Sequence, residues 1–258
     1  MHGVLAHKAQ GGELDYFAYV PRTASSQSAL LVTVHGIDRK ALQHAIRFAP
    51  WAEEHGLIVL APFFSKQRMP RYQKTLRGSN GECPLDALEL TIDHFLRWSD
   101  IEPARKYLFG YSGGAQFAMR YALRGRVAFE KLVLAAPGWF TMPEPGLPFP
   151  YGLGPSIAAG TKLPDLDRLI GTPTLVVVGS EDTRRDNSLN REPIVDNTQG
   201  QTRLERAYRW IEAMHGAADR IGARRQSEMK VLPGAGHDFE DSMKSHGLGT
   251  IVCDWLNA

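Results

Sequence analysis

Cysteine is scarce in this chain of 258 residues: only Cys83 and Cys253 are present, too few for a disulfide framework. Cys83 precedes Pro84 at a helix start and Cys253 lies in an apolar C-terminal stretch, so buried or incidental thiols are the default expectation, with a single bridge between them left open. The nine histidines include no H-E-x-x-H pair, and no Cys/His cluster has zinc spacing. A Walker loop and a dinucleotide-binding glycine fingerprint are absent as well. No metal and no cofactor is therefore expected. Charge of one sign is lacking too. A formal net charge of +2 gives no electrostatic reason to expect nucleic acid. Arg203, Arg206 and Arg209 recur at helical spacing beside Glu205 and Glu212, which predicts a solvated helix face. No apolar run approaches the roughly 20 residues of a membrane span, and Met1 to Lys8 lacks a signal-peptide core. A cytoplasmic protein without a membrane segment is expected, as a monomer or homodimer. No internal repeat or long linker is visible. With 43% hydrophobic and 22% charged residues, one α/β domain over 1–258 fits, although length alone would allow two.

What is present concentrates at Gly110-Tyr111-Ser112-Gly113-Gly114. The apolar run Lys106 to Phe109 precedes it and a helix-forming segment, Ala115 to Leu123, follows. A strand that turns sharply into a helix at G-x-S-x-G is the setting of a nucleophile elbow. The turn needs small residues two positions either side of the serine, and Gly110 and Gly114 supply them. Ser112 would stand at a helix N-terminus, where free N–H groups favour developing negative charge.

Two partners follow in chain order. The β-branched run Leu175 to Val178 reads as a buried parallel strand and leads into Gly179-Ser180-Glu181-Asp182. Met229 to Leu232 is another short strand, followed by Pro233-Gly234-Ala235-Gly236-His237-Asp238-Phe239. Ser112, Asp182 and His237 thus fall at the C-terminal ends of three strands, the edge where open α/β sheets bind ligands. Asp182, three residues past Gly179, sits on the first loop turn. Glu181 points elsewhere by alternation, and Asp186 lies farther along a polar loop. The preceding strand, Leu132 to Ala135, leads to no carboxylate before Glu144. Ser112 as nucleophile, His237 as base and Asp182 as acid form the expected triad. The oxyanion donors are expected to be the backbone N–H groups of Gly113 and of Ile37, the latter after the strand Leu30 to Val34 and His35-Gly36. His35 is expected to brace that loop.

With these residues in place the chain resembles the α/β-hydrolase fold serine hydrolases over essentially its whole length. More narrowly it is similar to the polyhydroxyalkanoate-depolymerase-like and feruloyl-esterase-like branch, with some similarity to dienelactone-hydrolase-like enzymes. The branch is suggested by the short chain, the His-Gly loop and Ala135-Ala136-Pro137-Gly138-Trp139. The resemblance implies a mostly parallel central sheet of about eight strands, helices on both faces and a short cap. It also implies cleavage of a carboxylic ester through an acyl-enzyme, with thioesterase, amidase or perhydrolase chemistry as alternatives on the same triad. A hydrolase-like receptor with little turnover is the competing class. No export signal or appended substrate-binding domain is evident, so a small or short oligomeric ester is the expected partner.

The remaining pattern alternates as a parallel sheet requires. Strands are expected at 14–20, 30–34, 57–61, 106–109, 131–135, 174–178 and 228–232. Helices are expected at 42–55, 84–98, 114–124, 202–215 and 241–256. One segment breaks the rhythm: residues 137–170 hold seven of the sixteen prolines, and read as a cap insertion. Trp139, Phe140 and Tyr151 within it, and Phe63 with Phe64 after strand 57–61, are candidate pocket walls, as is Tyr111 in the elbow. Arg184 and Arg185 could meet a substrate carboxylate, but pairing with nearby acids such as Asp186 is the commoner fate.

Overall fold

The computed structural model describes residues 3–77, 81–155 and 164–258. Among them eight strands form one sheet: β1 (Leu5–His7), β2 (Asp15–Tyr19), β3 (Ala29–Val34), β4 (Ile58–Phe63), β5 (Arg105–Tyr111), β6 (Lys131–Ala135), β7 (Thr174–Gly179) and β8 (Ser227–Leu232). Their order is β1-β2-β4-β3-β5-β6-β7-β8. The hairpin β1–β2 and the β2–β4 pair are antiparallel; every other pair is parallel. Parallel strands need both faces covered, which is why β3 and β7 are buried at every position.

The side-chain alternation of each strand sorts the core into two layers. Leu30, Val32 and Val34 pack with Leu108, Val176 and Val178 toward one face. That face is covered by α2 (Pro84–Ser99), α3 (Gly113–Arg124), α4 (Leu166–Gly171) and α6 (Arg203–Arg220). Leu31, Phe109, Leu175 and Val177 point the other way, onto α1 (Ala41–His55), α7 (Phe239–Ser245) and α8 (Leu248–Asn257). The short α5 (Pro193–Gln199) precedes α6. The helix expected over 241–256 is two helices, because Gly247 takes a positive φ of 71° and starts α8 in a new direction.

The described part of the 137–170 segment is anchored to the body. Phe140 and Met142 belong to the core beneath α3 and α6. Met142 N–H donates to the Tyr151 carbonyl at 2.9 Å, and the Thr141 hydroxyl to the Pro150 carbonyl at 2.7 Å. Residues 156–163 of the segment lie outside the described residues.

Candidate active site

The turn from β5 into α3 is as tight as its glycines allow. A Cβ on Gly110 would lie 2.2 Å from the Gly114 carbonyl oxygen, and one on Gly114 would lie 2.0 Å from that of Val34. No side chain fits at either place. Ser112 between them adopts φ 52° and ψ −113°, a strained conformation for a residue with a Cβ. It is held by its N–H to the Ala135 carbonyl at 2.8 Å. The strain lifts the hydroxyl out of the turn at the N-terminus of α3.

Three loops at the same sheet edge meet there. Ser112 Oγ lies 3.0 Å from His237 Nε2, and His237 Nδ1 lies 2.8 Å from Asp182 Oδ2. The carboxylate only accepts, so Nδ1 carries the proton and Nε2 is left to accept from the serine hydroxyl. Asp182 follows a tight turn in which its N–H reaches the Gly179 carbonyl at 3.2 Å. The β8 loop closes against it: a Cβ on Gly179 would be 2.1 Å from the Ala235 carbonyl oxygen. Glu181 is exposed, with Ser180 beside it. Asp186 binds Ser188 and Arg203, not His237.

The loop after β3 forms the other wall. Ile37 and Gly113 are neighbours, since a Cβ on Gly113 would sit 3.3 Å from the Ile37 backbone nitrogen. His35 braces this loop from below. Its Nδ1–H donates to the Gly36 carbonyl at 2.7 Å, and its Nε2 accepts the Phe64 N–H at 3.0 Å. The Tyr72 hydroxyl donates to the His35 carbonyl at 2.5 Å. Complete burial pushes the His35 imidazole down to about 4, so it stays neutral.

Arg203 corrects the solvated-face expectation. Arg203 and Arg206 are both fully buried; of the three arginines only Arg209 stays at the surface, paired with Glu205. Arg203 Nη1 donates to Asp182 Oδ1 at 3.1 Å, so the carboxylate under His237 is clamped from both sides. Its Nη2 reaches the Ser188 hydroxyl at 2.6 Å and Asp186 at 3.4 Å. Arg206 is spent on the carbonyls of Gly138, Gly200 and Asn190 and on Asp196. The overlooked sign is the stripe Arg203, Ala207, Trp210, Met214 and Ala218, which puts the arginines on the apolar face of α6.

The cleft over Ser112 has a volume of about 270 Å³. Tyr111, Ile37, Ser188 and Phe239 line it, with Asp38 and Lys40 at the side. Ser188 has no sequence motif and was not foreseen. The other expected walls are elsewhere. Phe140 is fully buried and stacked on Trp210 with centroids 5.0 Å apart, a core residue rather than a pocket wall. Trp139 is buried between the Arg120 guanidinium, 4.0 Å from its ring, and Tyr151. Phe63 lines a separate groove. Arg185 pairs with Asp196, not Asp186.

Both cysteines are free thiols. Among the described residues, His7, Glu13 and His94 bring potential metal-ligand atoms within 4.8 Å of one another. Glu13 there already accepts the Gln10 N–H, which holds its carboxyl down at about 2. None of the three belongs to the Ser112 constellation. No helix of the described residues is long and apolar enough to cross a membrane.

No protein-family model matches the chain, and no curated protein matches it. Solved structures do. LpqC, a poly(3-hydroxybutyrate) depolymerase from Bordetella parapertussis, superposes with a TM-score of 0.80 at 24% identity, over 99% of this chain and 90% of its own. Poly(aspartic acid) hydrolase-1 from Sphingomonas sp. KT-1 gives 0.78 at 22% identity, over 95% and 98%. An S-formylglutathione hydrolase from Agrobacterium tumefaciens gives 0.61 at 17%, over 99% and 92%. The chain has the α/β-hydrolase fold.

Proposed function

We propose that the chain is a serine hydrolase that cleaves carboxylic ester bonds of a small or short oligomeric substrate through an acyl-enzyme. The carrying observation is the relay of Ser112, His237 and Asp182 at 3.0 and 2.8 Å. His237 Nε2 takes the Ser112 proton as Oγ attacks the ester carbonyl carbon. The oxyanion meets the backbone N–H groups of Gly113 and Ile37, fixed dipoles that need no reorganisation as charge develops. Asp182 holds the Nδ1–H tautomer and stabilises the imidazolium. The imidazolium gives its proton to the leaving alkoxide, and the alcohol departs. Water then attacks the acyl-serine while Nε2 takes its proton, and the acid leaves with Ser112 restored. The named structural neighbours support acyl transfer in general, since their names place a polyester, a poly(amino acid) and a thioester among their substrates.

Replacing Ser112 by Ala tests this reading. Hydrolysis of p-nitrophenyl butyrate should fall by roughly a thousandfold or more, because the triad acts as a unit. Melting behaviour should stay close to that of the parent. Near-normal turnover by a folded variant would overturn the proposal.

A further inference from the structure

We propose that the substrate is an ester carrying an extended apolar chain, and that this chain leaves the Ser112 cleft past Lys40 to lie in a groove over Phe17, Leu42 and Phe63. The inference rests on the serine-hydrolase reading and names the substrate class of that site.

The groove has a volume of about 260 Å³, and Lys40 lines both it and the cleft. Its origin is local. Ala41 and Ala45 on α1 and Ala61 on β4 are small and buried, and the rings of Phe17 and Phe63 pack on them only partly covered. Phe17 stands opposite Ala61 across the β2–β4 pair, a small cross-strand neighbour. Phe63 ends β4, at the same C-terminal edge as Ser112. In the sheet order β4 is two strands from β5, which at the usual strand spacing is about 10 Å, the reach of a medium-length chain.

Exposed apolar side chains mark the same path. Of the seven large hydrophobic residues exposed among the described residues, three are Ile37, Leu42 and Ile46, at 48%, 37% and 44%. Ile37 borders the cleft, Leu42 the groove, and Ile46 continues one turn along α1. Lone exposed apolar residues need no explanation, but a track joining a nucleophile to a groove does. The surface of the groove is mainly apolar, although His7, Lys8, Asp15, Arg39, Lys40 and Gln43 share its lining; Lys8 pairs with Asp15 at 2.8 Å, and Arg39 donates to the carbonyls of Phe64, Met69 and Pro70. An apolar chain suits this lining better than a polyanionic or sugar arm.

The test measures kcat/KM for p-nitrophenyl octanoate against acetate, and for octyl acetate against ethyl acetate. The proteins are the full chain, Phe63→Ala and Leu42→Ser. At least one long-to-short ratio should fall about tenfold in Phe63→Ala, the effect of removing one aromatic wall, and in the same direction in Leu42→Ser. A fall on octanoate assigns the groove to the acyl part and a fall on octyl acetate to the alcohol part; either supports the inference. Leu42 is exposed, so its variant keeps the test valid should Phe63→Ala fail to fold. Ratios unchanged in both variants, in a chain whose turnover depends on Ser112, would overturn the groove alone. A chain whose turnover is indifferent to Ser112 would lose the hydrolase reading, and the inference with it.

Discussion

Asp182 is the residue on which the site's electrostatics turn. It is fully buried and accepts from His237 on one oxygen and from the buried Arg203 on the other. Removing one member of such a pair strands the other charge in a low-dielectric setting. Asp182→Asn should therefore lower kcat by about 10⁴-fold, through the wrong histidine tautomer, and lower the melting temperature as well. Asp186, 44% exposed at its side chain, binds Ser188 and the far end of Arg203. Asp186→Asn should leave kcat nearly unchanged. Steady-state kinetics on the two variants decides the acid, and a crippled Asp186→Asn with an active Asp182→Asn would reverse the assignment. That Asp182 rather than Asp186 meets His237 was legible in sequence, because a turn three residues past Gly179 is a local matter. Arg203 was not legible in that way. Its partners lie on another loop, and a buried cation among apolar neighbours looks like a surface arginine until the helix face is counted.

At the scale of elements, the loop between β3 and α1 carries both the wall formed by Ile37 and a pH dependence. His35 is buried neutral beneath it, held at about 4 against an ordinary 6.5 by loss of solvation. The unfolded chain takes up a proton near 6.5 that the folded chain refuses until about 4. Stability present above 6.5 is thus lost as pH falls toward 4, by roughly 3 kcal/mol for this group. His44, buried beside Thr33, is shifted in the same direction. Melting temperatures between pH 7 and 4 should fall less steeply for His35→Asn than for the parent, though from a lower start. Equal slopes would mean that His35 does not carry the effect. The strands were legible because short β-branched runs bounded by glycine and proline have few other uses. The 137–170 segment was not, because its aromatics could wall a pocket or anchor a loop with the same sequence. Packing decides: Trp139 and Phe140 are taken up by Arg120, Tyr151 and Trp210. The break between α7 and α8 rests on a single glycine whose positive φ no periodicity reveals.

Over the whole molecule, parallel strands bring loops far apart in sequence to one edge. Ser112 and His237 are separated by 125 positions, yet lie 3.0 Å apart. Chain order and strand order together made this edge readable, since each expected catalytic residue follows its own strand. The groove beside the cleft was not readable, because it depends on small alanines under Phe17 and Phe63 that look unremarkable in sequence. Every step of the proposed mechanism depends on Ser112 being an activated nucleophile. Intact-mass analysis after treatment with a fluorophosphonate tests it most directly. One adduct per chain is expected, mapped by peptide analysis to Ser112 and absent from Ser112→Ala. A folded chain that takes no label, or takes it at another residue, would contradict it.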